Sequence, residues 1–405
     1  MEHMVLSAIE NITGASGYIY PNEYELQWEL LIVIYPYLTG LVAGAFILAS
    51  LERVFNVKAL QPVYRLSLLT ALAFLIVAPL PLLAHLGHPE RAFEMFLTPH
   101  TQSAMAMFGF IYAWYLMVVL LLEIWFDYRR QFVVWSRETK GPMKYIYKLL
   151  TLFTTDISEP ALQFDNKAGK FITIIGIPSA FLLHGYVGFI FGSVKANPWW
   201  SSVLMPIVFL FSAIVSGIAL MLLVYMVTTM FRWKEIDMKC INKLAELLLY
   251  AIMVDFSLEL LDFIHRLYES EESITILSEM ISNRLFISLI ITQITLGTVV
   301  PIIALISGRF GRLPNEMRRI MYLIAGILVQ IGIFSTRWNV VIGGQLFSKS
   351  LRGLTVYKLQ LMGFEGVLTT IGLLIMPLII LYVLVKLMPP WKDHETPIAE
   401  RALGA

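Results

Sequence analysis

Nine long apolar stretches limit the fold of this chain more than any other feature of its sequence. They lie at about residues 30–51, 64–85, 104–126, 171–191, 203–231, 244–264, 285–306, 319–336 and 366–388. A helix that crosses a membrane needs about 20 such residues, and the stretches do not alternate as β-barrel strands do. The chain is 58% hydrophobic and 15% charged with a mean hydropathy of +0.73, which excludes an ordinary soluble enzyme. The sequence predicts an all-α polytopic membrane protein of about nine transmembrane helices, in two four-helix bundles plus a peripheral helix.

Lys and Arg are unevenly divided between the segments that connect these stretches. The segments 52–65, 127–170, 232–243, 307–319 and 386–405 hold 22 of them, and the segments on the other side hold 8. Because positive residues favour the cytoplasmic side, we expect the N-terminus outside the cell membrane and the C-terminus in the cytoplasm.

Three regions follow from this topology. Residues 1–29 form an external N-terminal segment, which is rich in Glu and has no apolar core typical of a cleaved signal peptide. Residues 30–388 form the membrane domain, and residues 389–405 form a cytoplasmic tail. The basic loop 127–170 is then a cytoplasmic surface segment, which either binds anionic lipid headgroups or is simply solvated.

Polar side chains that are costly in lipid lie mainly near the outer ends of the predicted helices. Together they predict a binding site at the outer membrane interface. Its candidate residues are Tyr35, Tyr37, His85, Arg91, His184, Arg337 and Asn339. For the two tyrosines, the alternative is the belt of aromatic residues that is common at the membrane interface. Gly40 and Gly44 follow the two tyrosines with the small-residue spacing that permits close contact between helices.

The sixth apolar stretch carries three acids, Asp255, Glu259 and Asp262, followed by Arg266. Their spacing of i, i+4, i+7 and i+11 places all four on one face of a helix. One interpretation is a proton relay along this face. The other is an ion-paired seam between helices, with Arg91 or Arg337 as the cation.

The cofactor chemistry of the chain is limited by its composition. Cys240 is the single cysteine, which excludes an internal disulfide and a self-ligated iron–sulfur cluster. A net charge of +1 gives no basic footprint for nucleic acid. The histidines His85, His184 and His265 could ligate a b-type haem, bind a quinone carbonyl or exchange protons, or pack against backbone.

Three segments resemble one family of membrane subunits. They are His85-Leu-Gly-His-Pro-Glu-Arg-Ala-Phe-Glu-Met-Phe, the run from His184 to Trp200, and Arg337-Trp-Asn-Val-Val-Ile-Gly-Gly-Gln. These segments are similar to motifs of the NrfD/polysulfide reductase family of integral membrane subunits, in its long, hydrogenase-type branch. Within that branch the chain looks closest to the DsrP-type subunit of DsrMKJOP complexes.

The resemblance implies a quinone-reactive subunit with no complete activity alone and with no haem or iron–sulfur cluster of its own. It would exchange electrons between menaquinone, or another quinone, and a ferredoxin-like iron–sulfur subunit on the outer face. Further membrane, cytochrome or catalytic subunits would complete a respiratory complex of dissimilatory sulfur metabolism, and whether that complex also translocates protons stays open. A b-type cytochrome and, less favoured, a proton-coupled transporter remain the alternatives.

For this family, the resemblance implies that His85 and His184 donate hydrogen bonds or exchange protons at the quinone. Tyr37 would form part of the pocket wall. Arg91 and Arg337 would set the local potential or pair with acids.

Overall fold

Nine long helices organise the described part of the chain, which in this computed structural model comprises residues 14–23, 26–269 and 274–391. They are α1 Leu30–Arg53, α2 Lys58–His85, α3 Ala106–Glu138, α4 Glu159–Gly192, α5 Met205–Phe231, α6 Met238–Glu269, α7 Phe286–Phe310, α8 Asn315–Gly343 and α9 Val367–Leu387. The all-α polytopic fold predicted from the sequence is confirmed.

The helix count needs one correction. Among the described residues, eight of these helices are both long and apolar enough to cross a membrane, and α6 is not among them. At 32 residues α6 would extend for about 48 Å, which is long enough to cross. Its acidic and basic side chains lower its apolarity, and two of them, Asp255 and Asp262, are buried inside the protein.

Several of the long helices are interrupted. In α2, Gln61–Val77 is followed by a separate turn at Leu80–His85. In α3, a π-helical turn at Tyr115–Leu120 separates Ala104–Trp114 from Leu121–Glu138. In α7, π-helical Phe286–Val299 precedes Val300–Phe310, and in α8 a π-helical turn at Asn339–Gly343 follows Asn315–Trp338. Since π-helical turns are rare and often mark functional sites, α3, α7 and α8 are the helices most expected to position a site.

Short elements connect the long helices at two opposite ends. Single turns and short helices lie at Pro21–Glu23, Lys58–Leu60, Pro89–Arg91, Glu94–Leu97, Pro142–Leu150, Ile274–Glu279 and Met280–Arg284. Strand β1 (Ser16–Tyr18) pairs antiparallel with β2 (Arg352–Leu354). We call the end that carries β1, β2 and the loops 86–103 and 344–366 the motif face. The opposite end, which carries Pro142–Leu150, is the basic face.

The helices pack as two four-helix groups, as predicted. Helices α1 to α4 contact one another, α5 to α8 form a second group, and α9 packs outside against α2 and α1. The two groups meet where α1 crosses α5. A Cβ atom on Gly44 would lie 2.0 Å from the carbonyl oxygen of Ala213, so only glycine permits this approach, as its spacing with Gly40 predicted.

Candidate functional site

A cavity of about 170 Å³ lies inside the second helix group, between α5, α6, α7 and α8. Most of its wall is apolar. Its lining residues are Trp199, Met205, Val208, Phe209, Phe256, Glu259, Leu260, Asp262, Phe263, Leu289, Ile290, Gln293, Ile294, Thr336, Asn339 and Val340. An apolar wall with a few convergent polar groups is typical of a small-molecule binding site.

The cavity exists because α7 changes its packing along its length. Its Val300–Phe310 part packs against α6, whereas the cavity lies beside its π-helical part, Phe286–Val299. Helix α7 is held to α8 at Gly297 and Gly332, where a Cβ atom on Gly297 would lie 2.3 Å from the Cα atom of Gly332. This close crossing brings the polar side chains of α7 and α8 to the same side of the cavity.

A chain of hydrogen bonds runs along that polar side. The Ser288 hydroxyl donates to Asn339 Oδ1 at 2.6 Å, and Asn339 Nδ2 donates to Gln293 Oε1 at 2.7 Å. Gln293 Nε2 then donates to Glu259 Oε2 at 3.1 Å. The π-helical turns of α7 and α8 position the two amides, and the chain ends at a carboxylate of α6.

The acids of α6 follow the cavity toward the middle of the protein. Asp255 and Glu259 line a smaller adjoining void of about 10 Å³, and Asp262 lines the larger cavity and accepts a hydrogen bond from Ser202. Asp255 is buried, and its Oδ1 atom has no hydrogen-bond partner among the described residues. The three acids predicted as a relay therefore line two voids that share Glu259 and Gln293, while the side chain of Arg266 is outside the described part.

Arg337 and His184 form a second polar cluster on the other side of Phe209. The Arg337 guanidinium is fully buried, approaches His184 Nε2 at 3.2 Å and donates to the Ser212 hydroxyl at 2.5 Å. Because a guanidinium only donates, Nε2 accepts and Nδ1 carries the proton, which it can donate to Thr39 Oγ1 at 3.3 Å. Phe209 stacks on the guanidinium at 4.2 Å and lines the cavity with its other surface.

The arginine cluster bears on two alternatives from the sequence. Arg337 lies within 4 Å of no carboxylate in the described structure, so it is not the cation of an ion-paired seam with α6. Both ring nitrogens of His184 are engaged in hydrogen bonds. His184 would have to give one of them up to ligate a haem iron.

The two predicted tyrosines lie apart from each other. The Tyr37 hydroxyl donates to Gln330 Oε1 at 2.7 Å, and Gln330 Nε2 donates to the Ser216 carbonyl, which joins α1 to α8 and α5. The Tyr35 ring packs edge-on against Phe108 in the first helix group. Neither tyrosine lines the cavity.

His85 and Arg91 lie at the motif face, away from the cavity. His85 Nδ1 and Glu365 Oε1 are 2.7 Å apart, next to Glu29, whose pKa is raised by burial and by Glu365. Arg91 is 67% exposed and its nearest carboxylate is that of Glu94 at 3.9 Å. The structure thus brings Asn339 and the α6 acids together, pairs His184 with Arg337, and distributes the remaining predicted residues elsewhere.

The site residues that the sequence analysis did not name include Gln293, Phe209, Ser212 and Thr39. Gln293 gave a signal, since it is an isolated amide within the seventh apolar stretch, and polar groups inside lipid usually face a partner. The other three look like ordinary membrane-helix residues. Only their positions relative to Arg337 identify them.

Fold and site define a class of multi-pass membrane protein that has a polar-sided cavity inside one of two packed four-helix groups. Residues 20–349 match the family described as polysulphide reductase, NrfD, and the chain belongs to this family. It is a membrane redox subunit. The family predicted from the three motifs is confirmed, whereas the finer likeness to DsrP-type subunits stays a prediction.

Curated relatives support this assignment. The chain is 32% identical to a subunit of the selenate reductase of Mesobacillus selenatarsenatis, over 91% of this chain and 88% of the relative. It is 27% identical to the Hdr-like menaquinol oxidoreductase integral membrane subunit of Archaeoglobus fulgidus, over 89% of this chain and 84% of the relative. It is also 27% identical to Protein NrfD of Escherichia coli, over 49% of this chain and 59% of the relative.

Proposed function

We propose that this chain is the quinone-reactive membrane subunit of a respiratory oxidoreductase and that the α5–α8 cavity holds the quinone headgroup. The observation that carries the proposal is the apolar cavity with one polar side that ends at the half-buried Glu259 carboxylate. A quinone ring needs apolar walls, hydrogen-bond donors for its carbonyl oxygens and a group that exchanges protons. The residues present supply all three.

The two amides are the proposed donors. Asn339 Nδ2 and Gln293 Nε2 each carry two N–H groups, and each uses one within the hydrogen-bond chain. The second N–H of each is available to a ligand in the cavity. Hydrogen bonds between the side chains fix the orientation of both amides before the ligand binds, which lowers the entropic cost of binding.

The acids of α6 are the proposed route for protons. A bound quinone supplies the two-electron chemistry, and the chain supplies orientation and proton transfer. Glu259 lies at the cavity wall, where its carboxylate can exchange a proton with the ligand. Asp255 lies one helical turn farther from the motif face and lines the adjoining void with Glu259, so it can pass the proton on. Because the void narrows there, this second step needs a small local rearrangement or a water molecule.

The motif face is the proposed docking surface for an iron–sulfur subunit. Phe93 and Leu97 are 75% and 82% exposed in the loop 86–103 at the motif face. Exposed large apolar side chains of this kind mark interaction surfaces.

The relatives named for menaquinol oxidoreductase and selenate reductase favour menaquinone and a complex that acts on an inorganic oxyanion. More specifically, we propose that the chain has a DsrP-type role in a complex of dissimilatory sulfur metabolism and that its motif face lies on the outer side of the membrane.

The test replaces the carboxylates of the route without changing their size. We expect an Asp255→Asn, Glu259→Gln double variant of the native complex to lose quinol turnover by a factor of about 100 or more, which is typical for the loss of a general acid–base group. Quinone content and subunit composition should stay unchanged. Glu246→Gln is the matched control, because Glu246 lies on the same helix but is paired with Lys243 and Arg309 near the basic face.

Two outcomes would contradict parts of the proposal. Normal turnover in an assembled double variant would remove the α6 acids from the mechanism. Disassembly of the complex would instead indicate that these acids are structural ion-pair partners, since removal of one partner of a buried pair is strongly destabilising. A stoichiometric Soret absorption band in the chain after separation from its partners would favour the cytochrome alternative.

A further inference from the structure

A helical hairpin at the basic face extends beyond the helix groups and has no role in the proposed quinone site. Helix α3 continues to Glu138, and the helix Pro142–Leu150 then folds back along it. Rings of Trp135 and Tyr147 lie 5.2 Å apart, and Trp125 Nε1 donates to the Leu150 carbonyl at 3.0 Å. The returning helix therefore reaches the level of Trp125, and we call residues 138–154 the hairpin arm.

This level coincides with the polar end of the helix groups. Two residues after Trp125, Asp127 accepts a hydrogen bond from Arg65 Nε at 2.6 Å, and Arg53 Nη1 lies 3.9 Å away from the same carboxylate. Ion pairs of this kind lie where lipid gives way to water, and tryptophan is enriched at the same depth. We call residues 151–154, at the end of the returning helix, the tip of the arm. The tip therefore lies at the membrane–water boundary.

The returning helix has three distinct sides. Tyr147 is buried against α3, and its hydroxyl donates to the Leu387 carbonyl at the end of α9. Tyr145 and Leu149, which are 72% and 65% exposed, form an apolar side. Lys144 and Lys148 are four residues apart and share the third side. A helix that presents apolar and basic sides to its surroundings is typical of the membrane interface.

The tip of the arm points apolar side chains away from the protein. Leu152 and Phe153 adopt φ values of +48° and +64° and are 56% and 85% exposed. The Thr154 amide donates to the Thr151 carbonyl at 2.9 Å and closes the turn. Left-handed backbone at two successive residues that are not glycine is costly. Insertion of the two apolar side chains into lipid would offset this cost.

The two lysines are available to an anion. Within the described structure, no carboxylate lies within 4 Å of Lys144 or Lys148. Arg137, which precedes the arm, donates to the Thr155 carbonyl. Lys148 is one helical turn from the tip and Lys144 is two turns away, which places both at the depth of lipid phosphates if the tip is inserted.

We propose that the hairpin arm inserts Leu152 and Phe153 into the lipid at the basic face, while Lys144 and Lys148 hold the headgroup of an anionic phospholipid. The occupant is a lipid rather than a protein subunit because apolar and basic sides lie next to each other at the boundary depth. The arm thus anchors the end of α3, and through Tyr147 also the end of α9, to the membrane surface.

The first experiment measures insertion of the tip in bilayers that contain the native complex. Phe153→Cys is labelled with an environment-sensitive fluorophore in a Cys240→Ser background, with Lys140→Cys at the bend of the arm as the matched control. We expect lipid-borne nitroxides to quench the label at position 153 at least severalfold more than the label at position 140. Equal quenching at both positions, or quenching of position 153 mainly by a water-soluble agent, would overturn the proposal.

The second experiment measures lipid selectivity. We expect Lys144→Gln, Lys148→Gln to lower the preference for phosphatidylglycerol over phosphatidylcholine by roughly fivefold for each lysine, measured as lipid retained by the purified complex in native mass spectrometry. Lys195→Gln, Lys358→Gln removes the same charge from the motif face and should leave the preference unchanged. If both double variants keep the preference for phosphatidylglycerol, or if both lose it, the assignment of Lys144 and Lys148 is overturned.

Discussion

Gln293 offers the sharpest test of the proposed site because its amide joins the two polar ends of the cavity. Substitution by leucine keeps the approximate volume but removes the bonds to Asn339 and Glu259, at 2.7 and 3.1 Å. The bond to the Glu259 carboxylate is worth about 1.5–3 kcal/mol and the neutral bond to Asn339 about 1 kcal/mol. The free energy of unfolding should fall by about 2.5–4 kcal/mol. Turnover should fall more steeply, since a displacement of a reacting group by 1 Å can cost a factor of about 100.

A matched variant separates the cost in stability from the cost in activity. The amide of Gln330 also bridges helices: it accepts a hydrogen bond from the Tyr37 hydroxyl and donates one to the Ser216 carbonyl, both at 2.7 Å. Gln330 does not line the cavity. Both bonds of Gln330 join neutral groups, so Gln330→Leu should lower the free energy of unfolding by about 2 kcal/mol, near the lower end of the range for Gln293→Leu, with nearly normal turnover.

The assay is oxidation of a water-soluble menaquinol analogue by the native complex, followed spectrophotometrically, with thermal unfolding measured on the same preparation. We expect turnover in Gln293→Leu to be about 10- to 100-fold below that of Gln330→Leu. Equal turnover in the two variants, at similar thermal midpoints, would refute the assignment of the cavity as the quinone site.

Three further predictions concern topology, packing and pH. If α6 crosses the membrane, the chain crosses nine times and its termini lie on opposite sides; without α6 it crosses eight times and they lie on the same side. We expect reporters at the two termini to lie on opposite sides, with Ala405 in the cytoplasm. The same side for both would exclude α6 as a crossing helix. Gly44→Leu should prevent the approach of α1 to α5 and lower the yield of assembled complex, whereas Gly372→Leu, with open space around its Cα atom, should not. Burial and the neighbouring Glu365 raise the pKa of Glu29, so the ionised carboxylate destabilises the folded protein at neutral pH. Glu29→Gln should therefore raise the thermal midpoint near neutral pH, by an amount that shrinks as the pH is lowered. An equal gain at all pH values would contradict this.

The sequence by itself determined the class of fold. A run of 20 apolar residues in lipid must satisfy its own backbone hydrogen bonds, so eight such runs specify eight helices without reference to one another. The same argument fails for α6. Its acids lower the apolarity below that of a lipid-facing helix, and only the packing of α5, α7 and α8 around it provides an interior for Asp255 and Asp262.

The sequence also placed most polar side chains near one end of the helices, but it could not show which of them meet. Gln293 lies 46 residues from Asn339 and 34 from Glu259, and Arg337 lies 153 residues from His184. Residues so far apart along the chain leave no pattern in the local sequence that would reveal their contact. The π-helical turns add a further uncertainty, because each extra residue rotates the following side chains away from the positions that a regular α-helix predicts.

Tertiary structure therefore decided the site. His85 and Arg91 share the depth of His184 in the sequence pattern, yet their ring and guanidinium contact Glu365 and Glu94 at the motif face. Depth in a membrane depends only on position along a helix, which the sequence provides. The rotation of each helix and its neighbours depend on side-chain packing at crossings such as Gly297 and Gly332, and that information arises only when all the helices are assembled.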